Sequence, residues 1–296
     1  MNIAILSRGP GLYSTQSLLI AGQKRNHRMF LIDYSDCSLV MERNRPMVYY
    51  KEEPIDYLDA IIPRVGASGT FHGASVIQQF EMMGVYSILS SEPLLRARNK
   101  LRSFQMMSRS GIRLPRTAFG SYTERPDFLL ESVGGAPVVI KVLSGTHGMG
   151  VILAESRKTA ESIIEAFQKL KEQILLQEYI REARGEDIRA LVVGDEVVAS
   201  MKRKAPPGEF RANLHRGASS SPIKLTSTEI NTAKEACRLL GLKVAGVDML
   251  QSHRGPLLIE LNPSPGLEGI EETTKIDVAG KIIELIETEA SKRLSR

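Results

Sequence analysis

Apolar positions recur in short runs over the first third of the chain, at residues 2–6, 29–32 and 60–62, with helix-permissive stretches between them. That rhythm predicts a small α/β unit with a parallel sheet, extending to about residue 97. The basic segment 96–102 then starts a helix that runs through Ser110 and ends at Gly111, marking a change of domain. From residue 115 to 180 the order reads strand, helix, strand, loop, strand, helix, strand. In the helix near 159–170, Ile163, Phe167 and Leu170 share one face at helical spacing and are expected to pack in a core. Strands follow at 188–193 and 196–201, then a polar loop to about Ser221 and a helix over 228–240. Two further strands, 244–250 and 257–262, are joined by the turn 251–255, and a last helix over 278–289 carries Ile282, Ile283 and Ile286 on one face. The expected organisation is three units, 1–97, 98–180 and 181–296, with no internal repeat and no low-complexity tract.

Composition narrows the class. With 296 residues and 42% hydrophobic content the chain can bury a sizeable core. No apolar stretch approaches a membrane span, and residues 1–6 run straight into Ser7-Arg8-Gly9 without a basic leader, so no membrane association and a cytoplasmic location are expected. Cys37 and Cys237 are far apart and in no metal-binding spacing, which predicts reduced thiols. The net charge of +5 suits anionic ligands. Aromatic residues make up only 5% and Trp is absent, which argues against the stacking platforms of single-strand binders and against direct nucleic-acid binding.

Candidate chemistry concentrates in two places. Strand alternation puts Glu260 and Asn262 on one face, and Asp248 stands in the preceding strand where a buried apolar residue would be expected. The short turn can bring the three together as hard oxygen ligands suited to Mg2+ or Mn2+ rather than zinc; strand-end caps are the alternative. Earlier, Val138-Val139-Ile140-Lys141 leads into the glycine-rich stretch 144–151. A lysine and exposed backbone N–H groups there fit a polyphosphate, although the lysine precedes the glycines and the stretch is no Walker A loop; a plain glycine-rich hairpin is the alternative. Gly9-Pro10-Gly11 leaves the dinucleotide fingerprint incomplete and reads as a strand-to-helix turn.

The order Lys100, Lys141, glycine loop, Gln177 to Ile180, Asp187 with Arg189, then Asp248, Glu260 and Asn262 resembles the ATP-grasp superfamily, and the whole length resembles the RimK-type glutamate ligases. Segments that carry the resemblance include Ile61-Ile62-Pro63-Arg64, Asn213-Leu214-His215-Arg216-Gly217 and Asn262-Pro263-Ser264-Pro265-Gly266. It implies an ATP-grasp fold, of mixed α/β (α+β) class, preceded by a small parallel-sheet domain. It further implies ATP phosphates held by Lys100 and Lys141, an adenine edge met by Glu178 and Tyr179, and Asp187 beside the ribose. Arg211, Ala212 and Asn213 would close over the nucleotide, and Asp248, Glu260 and Asn262 would hold two Mg2+ or Mn2+ ions. Arg189, Arg211 or Arg216 would pair with substrate carboxylates, with a structural ion pair to Asp187 as the alternative for Arg189. Asn99 and Ser144 depart from the acid and Glu that close relatives often carry. His147 is either a surface residue or a phosphate contact.

The activity implied is ATP-dependent addition of L-glutamate to the C-terminus of a small-subunit ribosomal protein through an acylphosphate, by a homo-oligomer such as a tetramer. Alternatives are the same chemistry on a small molecule or free glutamate, and an ATP-binding regulatory module without turnover.

Overall fold

The computed structural model describes residues 1–120, 125–143 and 150–294. Strands Asn2–Leu6, Arg28–Ile32, Ala60–Pro63 and Tyr86–Ser87 form the expected parallel sheet, ordered with Asn2–Leu6 between Arg28–Ile32 and Ala60–Pro63. Inserted after its second strand is a small antiparallel sheet that periodicity did not predict, Cys37–Glu42, Arg45–Tyr50 and Glu53–Pro54. Its first turn places Asn44 at φ +60°, a conformation that asparagine tolerates better than most residues.

The expected helix around residue 100 is two helices, Ser91–Arg98 and Lys100–Arg109. Asn99 breaks them apart, because its backbone is extended and its side chain accepts a 2.9 Å hydrogen bond from the Arg102 N–H as an N-cap. Lys100 is therefore the first residue of a capped helix rather than a mid-helix position.

Residues 117–178 follow the expected alternation and form an antiparallel sheet, ordered Val151–Ala154, Val138–Val142, Ile174–Glu178, Thr117–Gly120. Helices Pro126–Ser132 and Arg157–Lys169 cover it. Within the second helix Ala160 and Ile164 are fully buried, and Ile163 and Phe167 pack beside them. Leu170, expected in the stripe, lies one residue past the helix and is 70% exposed. This lobe has its own core, made only of residues between 118 and 176.

The fourth sheet is antiparallel, in the order Ser219–Pro222, Glu196–Lys204, Glu186–Val193, Val244–Ser252, Gly255–Asn262. Alternation gives it two faces. Ile188, Ala190 and Val192 pack with Ala233, Ala236 and Leu240 of the helix Ser227–Leu240. Leu191 and Val193 pack on the opposite side with Ile282, Ile283 and Ile286 of the helix Val278–Leu294. Both cores continue into the parallel sheet, through Leu6 and Ile61 on one side and Ile5 and Ile62 on the other. The N-terminal parallel sheet and the five-stranded sheet are thus packed as one body, while the central lobe coheres separately.

Candidate active site

Along the strand Glu186–Val193, the face that is apolar at Leu191 and Val193 turns polar at Arg189 and Asp187. Register then assembles the rest: Arg189 lies opposite Asp248, Asp248 opposite Glu260, and Asp187 opposite Arg203. A bulge between Asp248 and Met249 shifts the pairing of the last two strands immediately beside this row. Asn262, two positions beyond Glu260, lies opposite Gly246. Gly246 has a spatial reason. A Cβ there would stand 3.1 Å from the Pro265 side chain and 3.7 Å from Arg189 Nε, so the missing methyl lets the turn after Asn262 close onto the sheet.

Four of these groups form a buried ionic network. Arg189 grips Asp248 with Nε and Nη2, both at 2.7 Å; Arg203 grips Asp187 at 2.7 and 2.6 Å and also reaches Asp248 at 2.9 Å. Burial pushes the Asp187 carboxyl up to about 6, with Arg203 opposing the rise. Burial acts the same way on Asp248, but there Arg189 and Arg203 prevail and hold the carboxyl well below the usual carboxylate range. Two acids and two guanidiniums balance in charge, which is what makes their burial tolerable. Arg189 is therefore in an ion pair, with Asp248 as its partner rather than Asp187. Arg203, 2% exposed, was not singled out from the sequence. The available signal was a charged residue in step with buried Ala199 and Met201 along one strand.

The metal-ligand candidates are adjacent but not equivalent. Glu260 is exposed, and its carboxylate has no hydrogen-bond or ion-pair partner among the described residues. The Asn262 side-chain oxygen accepts from the Ser264 N–H at 3.0 Å. Asp248 Oδ1 accepts a single hydrogen bond, from Arg189, and keeps a lone pair. Two carboxylates and an amide oxygen form a hard donor set that fits Mg2+ or Mn2+. Among the described residues no group of three His, Cys, Asp or Glu side chains forms a metal centre, so any such site depends on the amide.

Lys141 reaches the same place from the other lobe. Burial pushes its ammonium down to about 8; Glu260 and Asp248 oppose that shift and Lys100 reinforces it. The two lysines and the two acids therefore share one electrostatic neighbourhood, although the lysines precede residue 180 and the acids lie on the last two strands. Glu178, at the end of the central sheet, accepts from Arg116 N–H at 3.1 Å and pairs with Arg254 at 2.7 Å; its own N–H donates to the Arg116 carbonyl. Tyr179 follows it, half-buried. In the loop beyond Lys204, Arg211 grips Glu209 with two nitrogens and donates to the Val151 carbonyl at 3.2 Å, tying this loop to the central lobe. Those contacts hold the Glu209 carboxyl down to about 2. Ala212 is buried beside it, Asn213 is half-buried, and Arg216 approaches Glu209 at 3.9 Å. Ser144 and His147 lie outside the described residues.

A separately cored lobe that brings a lysine to the acids of an antiparallel sheet is the arrangement of an ATP-grasp ligase. Family models agree over nearly the whole chain, the RimK PreATP-grasp domain matching residues 1–94 and the RimK-like ATP-grasp domain residues 97–286. A probable alpha-L-glutamate ligase of Pseudomonas paraeruginosa is 53% identical over 296 residues, 100% of this chain and 98% of the relative. Among solved structures, the ATP-grasp ligase PsnB, complexed with a phosphomimetic variant of its minimal precursor, Mg and ADP, superposes with a TM-score of 0.74 at 17% identity, covering 97% of both chains. A RimK domain ATP-grasp protein from Sphaerobacter thermophilus gives 0.69 at 20% identity, covering 97% of this chain and 99% of that one. The chain belongs to the RimK-type ATP-grasp alpha-L-glutamate ligase family and is an ATP-dependent ligase.

Proposed function

We propose that the protein joins the amino group of L-glutamate to a carboxylate at the C-terminus of a small-subunit ribosomal protein, using ATP and two Mg2+ or Mn2+ ions, in the cytoplasm and as a homo-oligomer, a tetramer. The observation that carries the nucleotide and metal part is the electrostatic proximity of Lys141 to Lys100, Glu260 and Asp248. Lys100 and Lys141 offset the phosphate charge, and the backbone about Glu178 and Tyr179 meets the adenine. Asp187 serves the ribose side through its place in the network, and the Arg211-Ala212-Asn213 segment closes over the nucleotide. Asp248, Glu260 and Asn262 hold the ions, which supply further charge neutralisation on the phosphates when bound. The γ-phosphoryl group passes to an acceptor carboxylate oxygen and ADP leaves. The glutamate nitrogen then attacks the acyl carbon, phosphate departs with the C–O bond electrons, and the nitrogen loses a proton to give the amide. The chain's own work is positioning and charge complementarity, with no covalent intermediate on the protein. The peptide complexes of PsnB, the same fold at low identity, support a peptide acceptor. Incubating the ribosomal protein with enzyme, ATP, Mg2+ and glutamate tests the reading: C-terminal glutamyl additions are expected, and glutamate-dependent ADP release with an unmodified protein would move the acceptor to small molecules or free glutamate.

A further inference from the structure

Arg64, in a segment that helps define the family resemblance, has no role in the nucleotide chemistry. It begins the loop after strand Ala60–Pro63, and Ser7 and Arg8 follow strand Asn2–Leu6. These two strands are neighbours at the point where the chain, having built outward to Arg28–Ile32, returns to add strands on the other side. Crevices at the carboxyl ends of strands beside such a reversal are the usual ligand positions of open parallel sheets. Here the crevice is basic. The Arg64 guanidinium donates to the Pro265 carbonyl at 2.7 Å, Arg98 donates to the Val65 carbonyl at 2.6 Å, and Arg8 donates to Ser68 Oγ at 2.9 Å and lies over the Tyr34 ring at 5.8 Å.

None of the three arginines forms an ion pair with an acid among the described residues, unlike Arg189, Arg203 and Arg211. Arg98 Nε is buried without an acceptor, and so is the Tyr34 hydroxyl. Burial, with Arg98 as a neighbouring like charge, pushes Arg64 down to about 10, and burial lowers Arg98 as well. Like charges held together with an unfilled donor are costly unless an anion joins them. Arg64 touches the turn that follows Asn262, and Arg98 feels the Glu260 charge, so the crevice abuts the metal end of the cleft.

We propose that Arg64, Arg98 and Arg8 form the carboxylate-binding site for the substrate that meets the activated phosphate: the free carboxylates of the incoming glutamate, or the C-terminal carboxylate of the acceptor. The proposal deepens the function proposed above and rests on it for the substrate's identity. It assigns carboxylate recognition to arginines without acidic partners rather than to Arg189 and Arg211, whose guanidiniums are already gripped by Asp248 and Glu209.

The test is calorimetry on the full-length protein loaded with Mg2+ and a non-hydrolysable ATP analogue. Its probes are L-glutamate, glutarate, and a peptide of the acceptor's C-terminus in free-acid and amidated forms. Arg64→Met and Arg98→Met are expected to weaken the recognised probe by about tenfold or more, and the exposed Arg8→Gln by about threefold, with analogue affinity unchanged. Loss for glutamate and glutarate assigns the site to the amino acid. Loss for the free-acid peptide, down to the level of the amide, assigns it to the acceptor. Unchanged probe affinities in variants that keep analogue binding would overturn the site, as would no binding of any probe to the wild type. Should the buried-arginine variants lose analogue binding, Arg8→Gln carries the test. If the wild type makes no glutamyl product while the binding contrast holds, the proposed reaction fails and the carboxylate site stands.

Discussion

At the residue scale the two acids of the site have opposite relations to stability. Asp248 is held by two buried guanidiniums, so removing its charge strands Arg189 and Arg203. Asp248→Ala is expected to cost about 3–5 kcal/mol and to remove turnover. Glu260 touches no partner among the described residues, so Glu260→Gln should leave thermal and denaturant unfolding unchanged while lowering turnover by about 100-fold or more. A stable, active Glu260→Gln enzyme would contradict its metal role. Lys141 gives a pH dependence of known sign. Its folded-state pKa of about 8 lies below its ordinary value of 10.5, so the ammonium is lost as pH rises through 8. ATP phosphates favour the charged form, so binding takes up a proton above that pH and nucleotide affinity falls with rising pH. Calorimetry from about pH 7 to about pH 9 should show this fall, and Lys141→Met should bind ATP weakly without it. A flat wild-type profile would refute the assignment.

At the scale of elements, the positions of Lys100 and Asn262 depend on local devices. Asn99→Ala removes the cap that fixes the start of the Lys100 helix and should cost about 1 kcal/mol by denaturant titration, together with a several-fold higher KM for ATP; Asn99→Asp should restore both. Gly246→Ala should lower turnover more than stability, since its methyl displaces the Pro265 turn beside Asn262, a proposed metal ligand, rather than a core side chain. Much of this level was legible in the sequence. Period-two alternation placed Glu260 with Asn262, and apolar runs found the strands of the central sheet and four of the five in the acid-bearing sheet, whereas Ser219–Pro222, a run of serines, lay in the expected polar loop. What alternation does not contain is register, which decides that Arg203 faces Asp187 and that Arg189 faces Asp248. The break at Asn99 was hidden because a cap and a mid-helix asparagine look alike within a basic, helix-forming stretch. The inserted sheet at residues 37–54 lacked clean alternation because it is only half covered, with Val40 and Met41 exposed.

At the scale of the molecule, the N-terminal parallel sheet and the acid-bearing sheet share two continuous cores, whereas the Lys141 lobe has a third of its own. Arg64, Arg98 and Glu260 are consequently fixed to one body, and Lys141, proposed to meet the phosphates, is carried by another. No helix among the described residues is long and apolar enough to cross a membrane. This division suits a ligase that must hold an acceptor still while a nucleotide-bearing lobe meets it. Glutamyl transfer to a protein C-terminus, as proposed, is tested by mass spectrometry of the small-subunit ribosomal protein after incubation with enzyme, ATP, Mg2+ and glutamate. Additions in steps of one glutamyl residue at the C-terminus are expected, absent with Glu260→Gln; an unmodified protein under conditions where the enzyme binds ATP and releases ADP would contradict the transfer.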